Sequence, residues 1–166
     1  MMKEMRLSKL ILDPVTNTPL IILKDPEEKV ILPIWIGLLE ASAIAVELEK
    51  VLLPRPMTHD LIRNIFSRLG VAVTRVEVTD LKDNTFYALI HLIVNGEHFS
   101  IDARPSDAIA LALRTSSPIY VDEAVIGTLE KASLENIQCM NEGEESAHLK
   151  DLLEKMSPED FGKYKM

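Results

Sequence analysis

Apolar positions change period repeatedly along the chain, and each change marks a change of element. RLSKLILD (6–13), PLIILK (19–24) and KVILPIWIG (29–37) are short apolar runs divided by the turn-rich PVTNTP and the charged DPEEK. They predict three strands with an antiparallel start. Trp35 lies between Ile34 and Ile36, so its strand is apolar on both faces and the indole is expected in the core. From Leu38 to about Leu52, Ala41, Ile44, Leu48 and Val51 or Leu52 recur at helical spacing, and LPRP ends that helix. A second helix follows, capped by Thr58, with the stripe Leu61, Ile62, Ile65, Phe66 and Leu69 and a stop at Gly70. Asp60, near its start, suits the helix dipole.

VAVTRVEVT (71–79) and TFYALIHLIV (85–94) read as strands, and Asn95-Gly96 is the strongest hairpin signal in the chain. A two-residue turn sets Val94 opposite Glu97, Leu92 opposite Phe99 and Ile90 opposite Ile101, one continuous apolar face. The other face is mixed, with His91 opposite Ser100 and diagonal to His98 and Asp102. Next comes IDARPSDAIALALR (101–114), a strand end, a polar hinge and a helix apolar at every position from Ala108 to Leu113. Such a helix is buried on most sides. PIYV (118–121) makes one more short strand. The pattern as a whole predicts an α/β (α+β) fold: one main domain over residues 1–140, a mixed β-sheet with packed helices, then a short charged helical tail over 141–166.

The passages LPIWIGLLEASAIAVEL and FSIDARPSDAIALAL echo one another. Each passes from strand to helix through a short turn, and each helix opens with an acid, Glu40 or Asp107, followed by Ala-Ile-Ala at 43–45 or 108–110. Small residues at that spacing let helices pack closely, which is reason enough for the echo. The sharper reading is that the two acids and the turns before them frame one site.

Charge refines this picture. The net charge of −8 would discourage phosphate binding, but residues 122–166 carry −6 of it and residues 1–121 only −2. Between Val51 and Val76 lie Arg55, Arg63, Arg68 and Arg75 with a single acid, Asp60. Arginines there offer phosphate contacts. One cysteine, Cys139, can form no internal disulfide and reads as a spectator thiol. No run approaches the ~18 to 20 apolar residues that span a bilayer, and the charged N-terminus lacks a signal-peptide core, so a cytoplasmic protein without membrane attachment is expected.

The hinge concentrates the candidate chemistry. Asp102 ends a strand, Pro105 fixes a torsion, and Ser106 or Asp107 can cap the helix. Arg104 can pair with either acid, so a purely structural role is available. Carboxylates at a strand end beside a helix start can also hold a divalent cation, and an arginine there can receive a phosphate. Phosphodiester hydrolysis needs an activated water, charge neutralisation and help for the leaving oxygen. Asp102, Asp107, Glu40 and His59 are therefore the candidate catalytic residues, Arg55 and Arg104 the candidate substrate contacts, and Asp102 and Asp107 the candidate ligands of Mg2+ or Mn2+. His91, His98 and Asp102 form a weaker metal candidate on the hairpin. Zinc signatures, phosphate-binding Gly-rich loops and a Gly-x-Ser-x-Gly nucleophile elbow are missing. With aromatics at only 5%, a base-stacking platform is hard to assemble.

LPIWIGLLEASAIAVEL, RPMTHDLIRNIFSRLG, FYALIHL and IDARPSDAIALALRTSSPIYV, in this order and spacing, resemble the bifunctional nuclease family, named for degradation of both DNA and RNA by its plant members. The resemblance covers roughly Met5 to Val125. It implies an α/β fold on a mixed sheet, a homodimer, and nuclease activity on nucleic acid. It marks the hinge as a family block without assigning catalytic residues to it. The alternative function is a non-catalytic homodimeric binding or regulatory protein that takes a partner protein or small ligand in the groove between the two strand-to-helix turns.

Overall fold

The computed structural model describes residues 1–128, so Cys139 and the charged tail lie outside the described residues. Seven strands form one open sheet: β1 (Met2–Leu12), β2 (Pro19–Lys24), β3 (Ile31–Trp35), β4 (Val71–Lys82), β5 (Thr85–Val94), β6 (Glu97–Ala103) and β7 (Ile119–Asp122). Their spatial order is β3-β2-β1-β7-β4-β5-β6. Neighbours run antiparallel except for β4 and β7, which are parallel. The expected mixed sheet is therefore present, and β7 is the strand that makes it mixed. By pairing with β1 on one side and β4 on the other, β7 joins an N-terminal meander to the central hairpin.

Three helices connect these strands: α1 (Leu38–Leu48), α2 (Thr58–Leu69) and α3 (Pro105–Thr115). Helix α3 buries eight of its eleven residues, Pro105, Ser106, Ala108 to Ala112 and Arg114. Its all-apolar middle is thus explained by position, packed against α1, α2, β4 and β5. The main core joins Ile109 and Ala112 to Ile44 of α1, Val76 and Val78 of β4, Val121 of β7 and the β2 residues Ile21 and Leu23. Burying side chains of this size is worth roughly 1.5–3 kcal/mol each, so this layer dominates the stability of the domain.

The hairpin register is the one the two-residue turn requires. Val94 pairs with Glu97, Leu92 with Phe99, Ile90 with Ile101 and His91 with Ser100. Asn95 and Gly96 both take positive φ, as a tight primed turn demands. The continuous apolar face is only half covered, however. Phe99 and Ile101 stay exposed because β6 is an edge strand with no further neighbour.

Three local expectations are corrected. Trp35 is 45% exposed, since β3 is the other edge strand, and its indole Nε1 donates to Asp13 Oδ2 at 3.1 Å. Thr58 does not cap α2: it is the first helical residue, Met57 precedes the helix, and the Met57 amide donates to Asp60 Oδ2 at 3.0 Å. Neither Ser106 nor Asp107 caps α3, because Pro105 opens that helix and Arg104 stands before it with no side-chain cap. Proline at the first position lacks one of the N–H groups that a helix start leaves without a partner.

Candidate functional site

The beginnings of α1, α2 and α3 meet. Glu40 sits in the first turn of α1, His59 in that of α2 and Asp107 in that of α3, with Arg104 just before α3. Arg104 spans the gap: Nη1 donates to Glu40 Oε1 at 2.7 Å and Nε to Asp107 Oδ2 at 2.7 Å. The other Asp107 oxygen, Oδ1, lies 2.9 Å from Nε2 of His59, whose side chain is only 12% exposed. A continuous chain Glu40–Arg104–Asp107–His59 results. The two acids of the sequence echo are therefore joined by one guanidinium.

Electrostatics at this point are nearly balanced. Helix N-termini present unsatisfied amides and the positive ends of their dipoles, which favour anions. Burial pushes the Asp107 carboxyl up, but the Arg104 guanidinium and His59 more than offset this and hold it below the ordinary carboxylate range. Asp107 stays charged and orients the ring, leaving His59 Nδ1 as the nitrogen not committed to Asp107. A histidine so held is suited to moving protons.

A residue that the sequence did not single out supports this cluster from below. The Arg114 side chain is 0% exposed; its Nε donates to Asp60 Oδ1 at 2.6 Å, its Nη2 to the Ala43 carbonyl at 2.9 Å and its Nη1 to the Ala110 carbonyl at 3.0 Å. Burial raises the Asp60 carboxyl, and the hydrogen bonds from Arg114 and the Met57 amide bring it below its usual value. Arg114 thereby ties α3 to α1 and to the start of α2, one residue from His59. An arginine closing an otherwise apolar helix was the available signal.

Two clefts flank the chain of contacts. One, of about 450 Å³, lies among Leu39, Ala43, Val46 and Met57; the other, of about 430 Å³, lies among Ile62, Phe66, Ile90, Leu92 and Leu111. Thr58, His59, Arg104 and Asp107 line both. Asp102 borders the second cleft along β6, but its pairing with Leu89 sets its side chain on the His91 face, and its carboxylate makes no side-chain hydrogen bond or ion pair among the described residues. Arg55 stands apart from the cluster, in a smaller cleft of about 270 Å³ that it shares with Asp60 and Arg63.

The fit to a divalent metal is poor. No group of three or more His, Cys, Asp or Glu that could hold an ion occurs among the described residues. Both oxygens of Asp107 are already occupied, one by His59 and one by Arg104. His91, His98 and Asp102 likewise gather no such group. His91 instead lies between Glu77 and Ser100.

A model of the bifunctional nuclease domain matches residues 21–135, which spans every residue of the cluster. The chain belongs to the bifunctional nuclease family. An uncharacterized protein of Mycobacterium tuberculosis is 38% identical over 164 residues, covering 96% of this chain and 98% of its own length. Bifunctional nuclease 1 of Oryza sativa is 26% identical over 116 residues, and bifunctional nuclease 1 of Arabidopsis thaliana 29% identical over 109. These matches cover 68% and 63% of this chain but only 35% and 34% of the plant proteins. The family is shared with the plant nucleases through one domain. No helix among the described residues is long and apolar enough to cross a membrane.

Proposed function

We propose that this protein is a nuclease that hydrolyses phosphodiester bonds of DNA and RNA at the junction of the three helix starts. The observation that carries the reading is Arg104 bridging Glu40 and Asp107 while Asp107 orients His59. Arg104 is 65% exposed at its side chain, so it can exchange an exposed carboxylate contact for a phosphoryl oxygen at little cost. His59 then accepts or delivers a proton at Nδ1, and Asp107 stabilises the imidazolium that forms. Arg55, in the neighbouring cleft, contacts a phosphate further along the strand.

If Mg2+ or Mn2+ takes part, Asp102, the candidate carboxylate without a side-chain partner among the described residues, would be the residue to hold it. When bound, such an ion neutralises phosphoryl charge. A cytoplasmic homodimer is proposed alongside. Leu61, Ile65 and Leu69 make an exposed apolar stripe on α2, of the kind a second subunit covers, and sedimentation measures the state directly.

A non-catalytic binding protein is the second reading. It is favoured by the pairing of both carboxylates with Arg104 and by the poor metal fit. The separating experiment incubates labelled single-stranded RNA and DNA with the protein in Mg2+, Mn2+ or EDTA, beside folded Asp107→Asn and Asp102→Asn. Cleavage lost in Asp107→Asn supports the nuclease. Cleavage that needs the metal and is lost in Asp102→Asn supports an ion at Asp102. Binding without turnover in every sample replaces the nuclease with the binding protein.

A further inference from the structure

The two clefts share one partition. Thr58, His59, Arg104 and Asp107 line both, and each cleft continues away from that partition over an apolar floor. Their volumes, about 450 and 430 Å³, fall within the roughly 300–1,000 Å³ typical of small-ligand sites, and each is large enough for one heterocycle. The exposed Arg104 guanidinium and the His59 ring are on the partition beside the Asp107 carboxylate, and most of the apolar surface is on either side. A phosphate with an apolar group on each flank matches that order.

Resting on the nuclease reading above, we propose that the phosphodiester seats on the Arg104–His59 partition with its two flanking bases turned into separate clefts, so that the substrate is an unpaired strand. Leu39, Ala43, Val46 and Met57 would enclose one base, and Ile62 and Phe66, with the β5 side chains behind them, the other. In a duplex the two bases are stacked on each other and paired, and neither can enter a cleft without being extruded. Extrusion costs least in a strand that is already single. Away from the partition most of the wall is apolar, with Phe66 its one aromatic and Glu40, Ser42 and Arg114 in the first cleft and Asp102 beside the second as its polar members. The walls therefore meet the faces of a base more than its edges, and recognition is tolerant of sequence. This arrangement also answers the scarcity of aromatics, because a flat stacking platform is replaced by two half-open apolar clefts.

The test is fluorescence anisotropy of the full chain with fluorescein-labelled single-stranded DNA and RNA ten-mers and with the same strands annealed to their complements. Ala43→Phe fills the first cleft and Ile101→Trp the second, which Ile101 also lines; Ile101 is exposed on an edge strand, so the second change leaves the core intact. Melting curves confirm that both variants fold. Single strands should bind at least about 10-fold more tightly than duplexes, each filled cleft should cost about 10-fold in single-strand affinity, and unlabelled dinucleotides such as UpU should displace the probe. Equal affinity for single strand and duplex, or filled clefts without effect, would overturn the two-cleft substrate and leave the nuclease reading standing. Binding to neither form would bring down both.

Discussion

Two groups of histidine, carboxylate and arginine occur in this molecule, and they differ in what surrounds them. On the helix side of the sheet, His59, Asp107, Arg104 and Glu40 come from three helix starts and line two clefts. The second group lies on adjacent strands. Glu77 of β4 receives Arg75 Nε at 2.6 Å, His91 Nε2 lies 2.8 Å from its other oxygen, and His91 Nδ1 lies 3.1 Å from Ser100 Oγ. His91 Nε2 is buried and makes no hydrogen bond to Glu77 despite that distance, so Arg75 is the directed partner of Glu77. Alternation along β4 points Glu77 away from Val76 and Val78, opposite the helix layer. Residue types alone would rank the second group as high as the first. Convergent helix starts and a cleft on either side are what set the first group apart.

The largest effect expected tests that ranking directly. His59→Asn should reduce phosphodiester turnover by about 10²- to 10⁴-fold, the range general acid–base groups supply, while His91→Asn should leave it within a factor of about three. Turnover is read on labelled single-stranded RNA. The reverse result would move the site to the opposite sheet face.

Arg114→Met is the next largest. It leaves the part-buried Asp60 with only the Met57 amide and removes the donor to two carbonyls. Losing one partner of a fully buried ion pair costs about 3–5 kcal/mol, and the loss here should fall near the lower end of that range. Denaturant unfolding should show this loss, compared with about 1–3 kcal/mol for Glu77→Gln, where Arg75 remains partly in water. An Arg114→Met protein as stable as the parent would mean that the joint beneath His59 is not held by Arg114.

Acid should weaken both groups. Burial raises the carboxyls of Asp60, Glu77 and Asp107, and their cationic partners lower all three below their ordinary values of 3.8 for aspartate and 4.5 for glutamate. A depressed folded value adds stability that is complete above the unfolded value and is lost as pH falls through the folded one. Thermal midpoints should therefore hold steady down to about pH 5 and decline below about pH 4. Asp107→Asn should flatten part of that decline. A steeper decline in the variant would reverse the assigned sign.

Much of this architecture was legible because local chemistry dictated it. Asn95-Gly96 permits one tight turn, and that turn fixes every pair from Val94–Glu97 to Ala88–Ala103. The echo of Glu40 and Asp107 pointed to a shared site because each acid was placed by its own strand-to-helix turn. What stayed hidden depends on neighbours distant in sequence. Trp35 reads as core from its apolar flanks, and only the sheet order reveals that its strand is an edge. Arg114 meets the Ala43 carbonyl across 71 positions and Asp60 across 54, separations at which no periodicity carries information. Arg55 was grouped with Arg104 by charge, yet the break after α1 carries it into another cleft.

The smallest effect concerns Gly37, and it separates stability from function within the helix-side group. Gly37 has φ −74° and ψ 162°, a conformation open to any residue, so alanine there brings no backbone strain. A methyl group on it would meet Glu40 Oε2 at 2.2 Å, and that oxygen is the far end of a flexible side chain. Glu40 must swing away and give up its contact with Arg104, an exposed pair worth about 0–1 kcal/mol. Replacing glycine where alanine fits returns about 0.4–1 kcal/mol by restricting the unfolded chain. The two terms nearly cancel, and Gly37→Ala should melt within a degree or two of the parent. Arg104, freed from one carboxylate, should then bind a single-stranded ten-mer up to about five-fold more tightly, with the gain shrinking as salt is raised. A Gly37→Ala protein of parental stability that binds more weakly would show that Glu40 positions Arg104 for the phosphate rather than competing with it.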